Sequence, residues 1–129
     1  MRTATSSRLL HQPDCRPDGW EARFAAVLRD ASRREFHARD WNCAEFARQC
    51  AEAITCRPIP RRLSRTLKRT VDAYFPRIGV RQASRGDVVL ANLPNPTLGV
   101  CAGSVAAFVS PAGLTEIPMS QVLIAWRVD

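Results

Sequence analysis

The stretch Asp40-Trp41-Asn42-Cys43-Ala44-Glu45-Phe46-Ala47 sets a thiol where a helix should begin. Asn42 or Asp40 can accept hydrogen bonds from the first free backbone N–H groups of a helix. Phe46, Ala47, Cys50, Ala51 and Ile54 then recur at spacings of three and four, the period of one helix face. A thiol at that point feels the positive end of the helix dipole, which favours the thiolate, the reactive form of cysteine. Cysteine hydrolases prepare their nucleophile this way. The plainer reading is a small buried side chain at a helix start, because unpaired cysteine is among the most buried residue types. A working hydrolase also needs a base within hydrogen-bond reach of the thiol. The chain has two histidines, His11 and His37, and both precede Cys43. His37, in the connection leading to the helix, is the candidate base, although a loop histidine is more often a surface or packing residue.

The elements that must position Cys43 follow from patterning. Asp18 followed by Trp20, Phe24, Val27, Leu28 and Ala31 predicts a capped amphipathic helix ending near Arg33-Arg34. Glu35 to Asn42 is a connection whose aromatics, Phe36 and Trp41, should pack beside the next helix. That helix runs from about Cys43 to Thr55, closed by Pro58 and Pro60. A third helix is expected from Arg61 to about Tyr74, with Leu63, Leu67, Val71 and Tyr74 on its apolar stripe. The composition then changes. Arg85-Gly86-Asp87 is a turn into Val88-Val89-Leu90-Ala91, a run suited to a buried strand, and Asn92 to Thr97 reads as a loop. Leu98–Ala102, Val105–Val109, Leu114–Ile117 and Leu123–Val128 read as further strands, with turns at Gly103-Ser104 and Pro111-Ala112-Gly113. Helices followed by a meandering antiparallel sheet make an α+β domain with the helices packed on the sheet. Residues 1–17 are expected to be a loose N-terminal segment and 18–129 a single domain, which is all that 129 residues allow.

No apolar run reaches the length of a membrane span, and no signal peptide is visible. The net charge is +7, carried almost wholly by arginine. That raises nucleic acid as a partner, but no zinc finger, RNP-like strand or helix-turn-helix pattern accompanies it, and only the 61–69 segment clusters the charge. A solvated basic surface, or one meeting an acidic protein, is the more economical reading. Cys15, Cys43, Cys50, Cys56 and Cys101 make an odd count without a paired CxxC, so reduced and mostly buried thiols are expected. Their spacing fits no standard metal site, and neither a metal nor an organic cofactor is expected.

A Cys-led helix, then Gly86-Asp87-Val88-Val89-Leu90, then Leu98-Gly99-Val100-Cys101-Ala102-Gly103 resembles the NlpC-type cysteine peptidases, relatives of the papain-like fold. A closer resemblance is to small NlpC-like proteins encoded in tail modules of tailed bacteriophages. The residues that carry it are Trp20 and Phe24, Phe36, Arg85 to Val89, Leu98 to Gly103, Ala106-Ala107-Phe108, Gly113-Leu114 and the ending Ala125-Trp126-Arg127-Val128. The resemblance implies an NlpC/papain-like fold with Cys43 at the nucleophile position. Asn42 stands where that family usually has Asp. The catalytic histidine of active relatives would precede the strand glycine, and Leu98 holds that place.

Without an imidazole the thiol lacks both its proton acceptor and the acid that protonates the leaving amine. The expectation is therefore a pseudoenzyme: a structural or assembly component of a phage tail tip, made in the host cytoplasm and located in the virion. Its implied partners are the hub and distal tail proteins. An active cysteine peptidase or amidase cleaving peptidoglycan, with His37 or a borrowed base, is the alternative. A basic nucleic-acid-binding domain is the third reading.

Overall fold

A computed structural model describes residues 16–61 and 67–129. Three helices precede most of the sheet: α1 (Trp20–Ala31), α2 (Cys43–Thr55) and α3 (Leu67–Asp72). The strands are β1 (Arg77–Ile78), β2 (Val88–Asn92), β3 (Pro96–Cys101), β4 (Val105–Ser110), β5 (Gly113–Pro118) and β6 (Ile124–Trp126), all paired antiparallel in the order β1-β6-β2-β3-β4-β5. The architecture is α+β. The meander expected from the sequence holds from β2 to β5. β6 then returns to the opposite side of β2, and β1 adds beyond it.

Alternation along the strands sends two apolar sets to opposite faces. Val88, Leu90, Leu98, Val100, Ala107, Val109 and Trp126 join Phe24, Phe46, Cys50 and Ile54 in the main core beneath the helices, with Trp20 packed against its edge. Val89, Ala91, Cys101, Ala106, Phe108 and Ala125 form a second cluster on the far face. That face is covered by the segments around the short helical turns Val80–Gln82 and Met119–Gln121, which supply Val80, Ala83, Met119 and Val122. Both faces of the central strands are thus dry, which accounts for the unbroken apolar run of β2.

Several local expectations are corrected. α1 starts after Gly19, whose φ of 83° turns the chain, and no side chain caps it, Asp18 included. Asn92, Pro96 and Thr97 belong to strands, so the expected loop shrinks to a tight turn in which Leu93 N–H donates to the Asn95 carbonyl. Of the third helix, Leu67–Asp72 is helical and Leu67 and Val71 face the core, while Leu63 lies outside the described residues. Arg16, assigned to the loose segment, is buried, so the packed domain begins at least that early. Its guanidinium donates to the carbonyls of Val128 and Arg85 and pairs with Asp87 Oδ1 at 2.9 Å. The rest of the expected loose segment, residues 1–15, lies outside the described residues.

Candidate functional site

Cys43 is the first residue of α2, as its sequence implies. Asn42 caps the helix: its Oδ1 accepts from the Glu45 N–H at 2.9 Å, and its amide donates to the Ala38 carbonyl at 2.8 Å. The helix ends at Cys56, whose φ of 56° is left-handed. α2 lies across β3, and the place where they meet is set by the sheet. β3 pairs with β2 from Pro96 to Val100, but its ladder with β4 ends at Gly99–Phe108, one position short of Leu98. Gly99 is required there, because a Cβ would lie 2.4 Å from the Ala107 carbonyl oxygen and 2.5 Å from the Phe108 ring. Where β4 parts from β3, the Leu98 main chain approaches the Cys43 sulfur.

The electrostatics of that thiol are decided by burial. Desolvation raises its pKa above the ordinary cysteine value, outweighing the backbone groups of Leu98, Ala44 and Cys43 itself, which favour the thiolate. The dipole effect anticipated from the helix start is present and loses. Burial thus favours the neutral thiol over the thiolate.

His37, the candidate base, makes its contacts within its own turn. It forms a tight antiparallel bridge with Trp41, each donating its N–H to the other's carbonyl at 2.9 and 2.8 Å. The imidazole Nδ1 accepts from the backbone N–H groups of Asp40 at 3.1 Å and Arg39 at 3.3 Å. The same nitrogen lies 3.4 Å from an Asp40 carboxylate oxygen. Its loop consumes its basic nitrogen. Trp41 packs as expected, edge-on to Phe46 at 6.0 Å, with the Arg34 guanidinium 3.9 Å above its ring.

The remaining thiols separate by environment. Cys50 and Cys101 are buried, whereas Cys56 is exposed, contrary to the expectation of burial. Among the described residues no three Cys, His, Asp or Glu side chains come together in a way that could hold a metal.

The sequence reading missed Glu45. Asn42-x-x-Glu45 has the form of a capping box, in which the glutamate would reach back to the Asn42 N–H. Instead the nearly buried carboxylate accepts from Arg48 at 2.6 and 2.9 Å and from Gln49 at 2.8 Å, and Arg61 Nε lies 3.0 Å away. Arg48 also reaches the Ile59 carbonyl and Glu52, both at 2.9 Å, which fastens the segment after α2 against the helix. Burial pushes the Glu45 carboxyl up, but hydrogen bonds from Arg48 and Gln49 and the charges of Arg48 and Arg61 outweigh it, leaving its pKa below the ordinary value. A depressed folded-state pKa contributes stability above the unfolded value that is lost as pH falls through the folded one. Urea midpoints should therefore fall from neutral pH into the acid range. Glu45→Gln should flatten that dependence, and an unchanged slope would show that other carboxylates govern it.

Many arginines are fasteners of this kind. Arg16, Arg23, Arg48 and Arg57 bind the main-chain carbonyls of Val128, Ala53 in α2, Ile59 and Asp129, and Arg77 chelates Asp72 at 2.9 and 3.0 Å.

A profile for the domain of unknown function DUF6950 matches residues 57–128. The chain belongs to that family. The DUF6950 match begins just past α2 and takes in α3 and the whole sheet, including Asp87, Leu98 and Trp126; Cys43 lies before it. The shared part is thus the scaffold of the site, including the β3 position against which the thiol rests. A search of curated proteins finds no match.

Proposed function

We propose that this DUF6950 protein is a non-catalytic, NlpC-like domain acting as a structural component of a phage tail tip. The observation that carries the non-catalytic half is the pair Cys43 and Leu98. A thiol at a helix start rests against the strand position from which an NlpC-type enzyme would present its histidine, and the side chain there is a buried leucine. Burial holds the thiol neutral, and His37 is turned into its own loop. The tail assignment rests on the motif resemblance given above. Hub and distal tail proteins are the partners it implies, and the virion is the location. The outer edges of β1 and β5, with the exposed Tyr74 and Leu123, offer surface for such contacts. No helix among the described residues is long and apolar enough to cross a membrane. The nucleic-acid reading has less support, because so many arginines are engaged within the fold.

Alkylation mapping tests the chemistry. With iodoacetamide at neutral pH, the exposed Cys56 should modify well before Cys43, and the Cys43 rate should keep climbing as pH rises past the ordinary thiol range. Incubation with peptidoglycan should release no peptide fragments, and phage carrying Cys43→Ala should assemble infective tails with the protein present in purified virions. Modification of Cys43 ahead of Cys56, together with peptide release, would overturn the non-catalytic reading. Absence of the protein from virions would overturn the tail assignment.

A further inference from the structure

On the flank of α2 beside the Cys43 position, a cavity of about 120 Å³ opens between α2, α3 and the Ile59–Arg61 segment. Ala44, Ala47 and Ala51 present one small-residue face of α2 to it, and Val71 and Phe75 form the opposite wall. Leu98 lies at its sheet side, so the residue standing at the histidine position lines an apolar chamber. Cavities of about 150 Å³ with aliphatic and aromatic walls hold a benzene ring, so this chamber has room for roughly one aliphatic or aromatic side chain.

The polar part of the lining is uneven in charge: Arg39, Arg48 and Arg61 stand against Glu45 alone. Arg48 is neutralised, shared between Glu45 and Glu52. Arg61 holds Glu45 through Nε, and its side chain remains 55% exposed. Arg39 makes no ion pair among the described residues. The surplus is thus one free guanidinium and one half-engaged one beside an apolar chamber, matching a single negative charge on an apolar body.

We propose that this cavity binds a small carboxylate whose apolar part is about the size of one side chain, such as an N-acylated amino acid or a short fatty acid. The body fills the space between the α2 alanines and Val71, and the carboxylate meets Arg39 and the outer face of Arg61. The site does not depend on the hydrolase-like reading. It would stand if Cys43 proved reactive, and fail without touching the argument from Leu98.

The test is binding of N-acetyl-leucine and hexanoate to the full chain, followed by NMR shifts and calorimetry, with N-acetyl-leucinamide, hexanol and acetate as controls. Both carboxylates, or one of them, should bind with shifts at Ala44, Ala47, Val71 and Leu98. Each control should bind at least about tenfold more weakly than the matching ligand. Preference between the two carboxylates identifies the source. Arg39→Glu, at an exposed position, should weaken binding about tenfold while leaving the melting temperature near that of the parent. Ala47→Leu should fill the chamber and abolish binding; should it fail to fold, Ala44→Leu serves the same purpose from the rim. Equal binding of acid and amide, indifference to Arg39→Glu, or no binding by either carboxylate would overturn the proposal.

Discussion

Replacing Asp87 by alanine is expected to cost about 3–5 kcal/mol, the range for breaking a buried ion pair from one side. Asp87 closes the turn before β2 and is 1% exposed. Its Oδ1 takes the Arg16 guanidinium at 2.9 Å and the Val128 N–H at 3.0 Å, and its Oδ2 takes the Ser84 N–H at 2.9 Å. One carboxylate therefore binds the start of the described chain, its own turn and the segment that follows β6. Alanine would strand a guanidinium in the core and leave buried N–H groups without acceptors. Gly86 makes the turn possible: its φ is +98°, and a Cβ would lie 2.8 Å from Ile54 Cδ1. The Gly-Asp pair is thus a structural clamp between α2, the sheet and both ends of the fold.

Arg16→Ala should cost less than Asp87→Ala, because the orphaned carboxylate keeps its Ser84 and Val128 donors while the segment before α1 can lift into water. Urea titrations of both single variants and the double variant would measure the coupling. A domain of this size has roughly 5–15 kcal/mol in total, so Asp87→Ala should be partly unfolded at 37 °C. An Asp87→Ala midpoint within about 0.5 kcal/mol of the parent would show that the clamp is dispensable.

The clamp also marks where the sequence stops being informative. Strands β2 to β5 were legible because short apolar runs are separated by turn residues, although the ends of β2 and β3 were misplaced at Asn92, Pro96 and Thr97. α2 was legible because Asn42 caps a clean three-and-four repeat. The position of Cys43 followed directly. β1 was invisible, since two residues carry no period, and its existence depends on Trp126 arriving from the far end of the chain. The insertion of β6 beside β2 is likewise a non-local pairing. Arg16 fell within the expected loose segment and Glu45 was passed over, because burial of a charge depends on partners distant in sequence or on a loop's path. The partners of His37 required the loop conformation itself, since its Nδ1 accepts from the Asp40 N–H of the same turn. Leu98 is buried in the main core while its main chain approaches the thiol, and no property of Leu98 in the sequence announces that neighbour.

Trp126→Ala carries the other large effect, about 3–5 kcal/mol, as expected for truncating a fully buried tryptophan. The residue is 0% exposed and pairs with Arg77 of β1 on one side and Val88 of β2 on the other. Its ring belongs to the main core with Val71 and Phe75, and its bond to Asp72 makes it one link between α3 and the sheet. The indole N–H donates to Asp72 Oδ1 at 2.8 Å, and the same carboxylate chelates Arg77. These two contributions separate by substitution. Trp126→Phe keeps most of the ring volume and loses the hydrogen bond, which should cost about 1 kcal/mol plus the gap left by the smaller ring. Trp126→Ala also removes the filling between α3 and β6, so β1 should detach with it. Amide exchange would show this as faster exchange at Ile78 and Arg127 in the alanine variant than in the phenylalanine one. Equal losses in the two variants would mean that the hydrogen bond to Asp72 dominates. A melting temperature unchanged in Trp126→Ala would mean that the ring's packing stabilises a contact with another subunit instead of the fold.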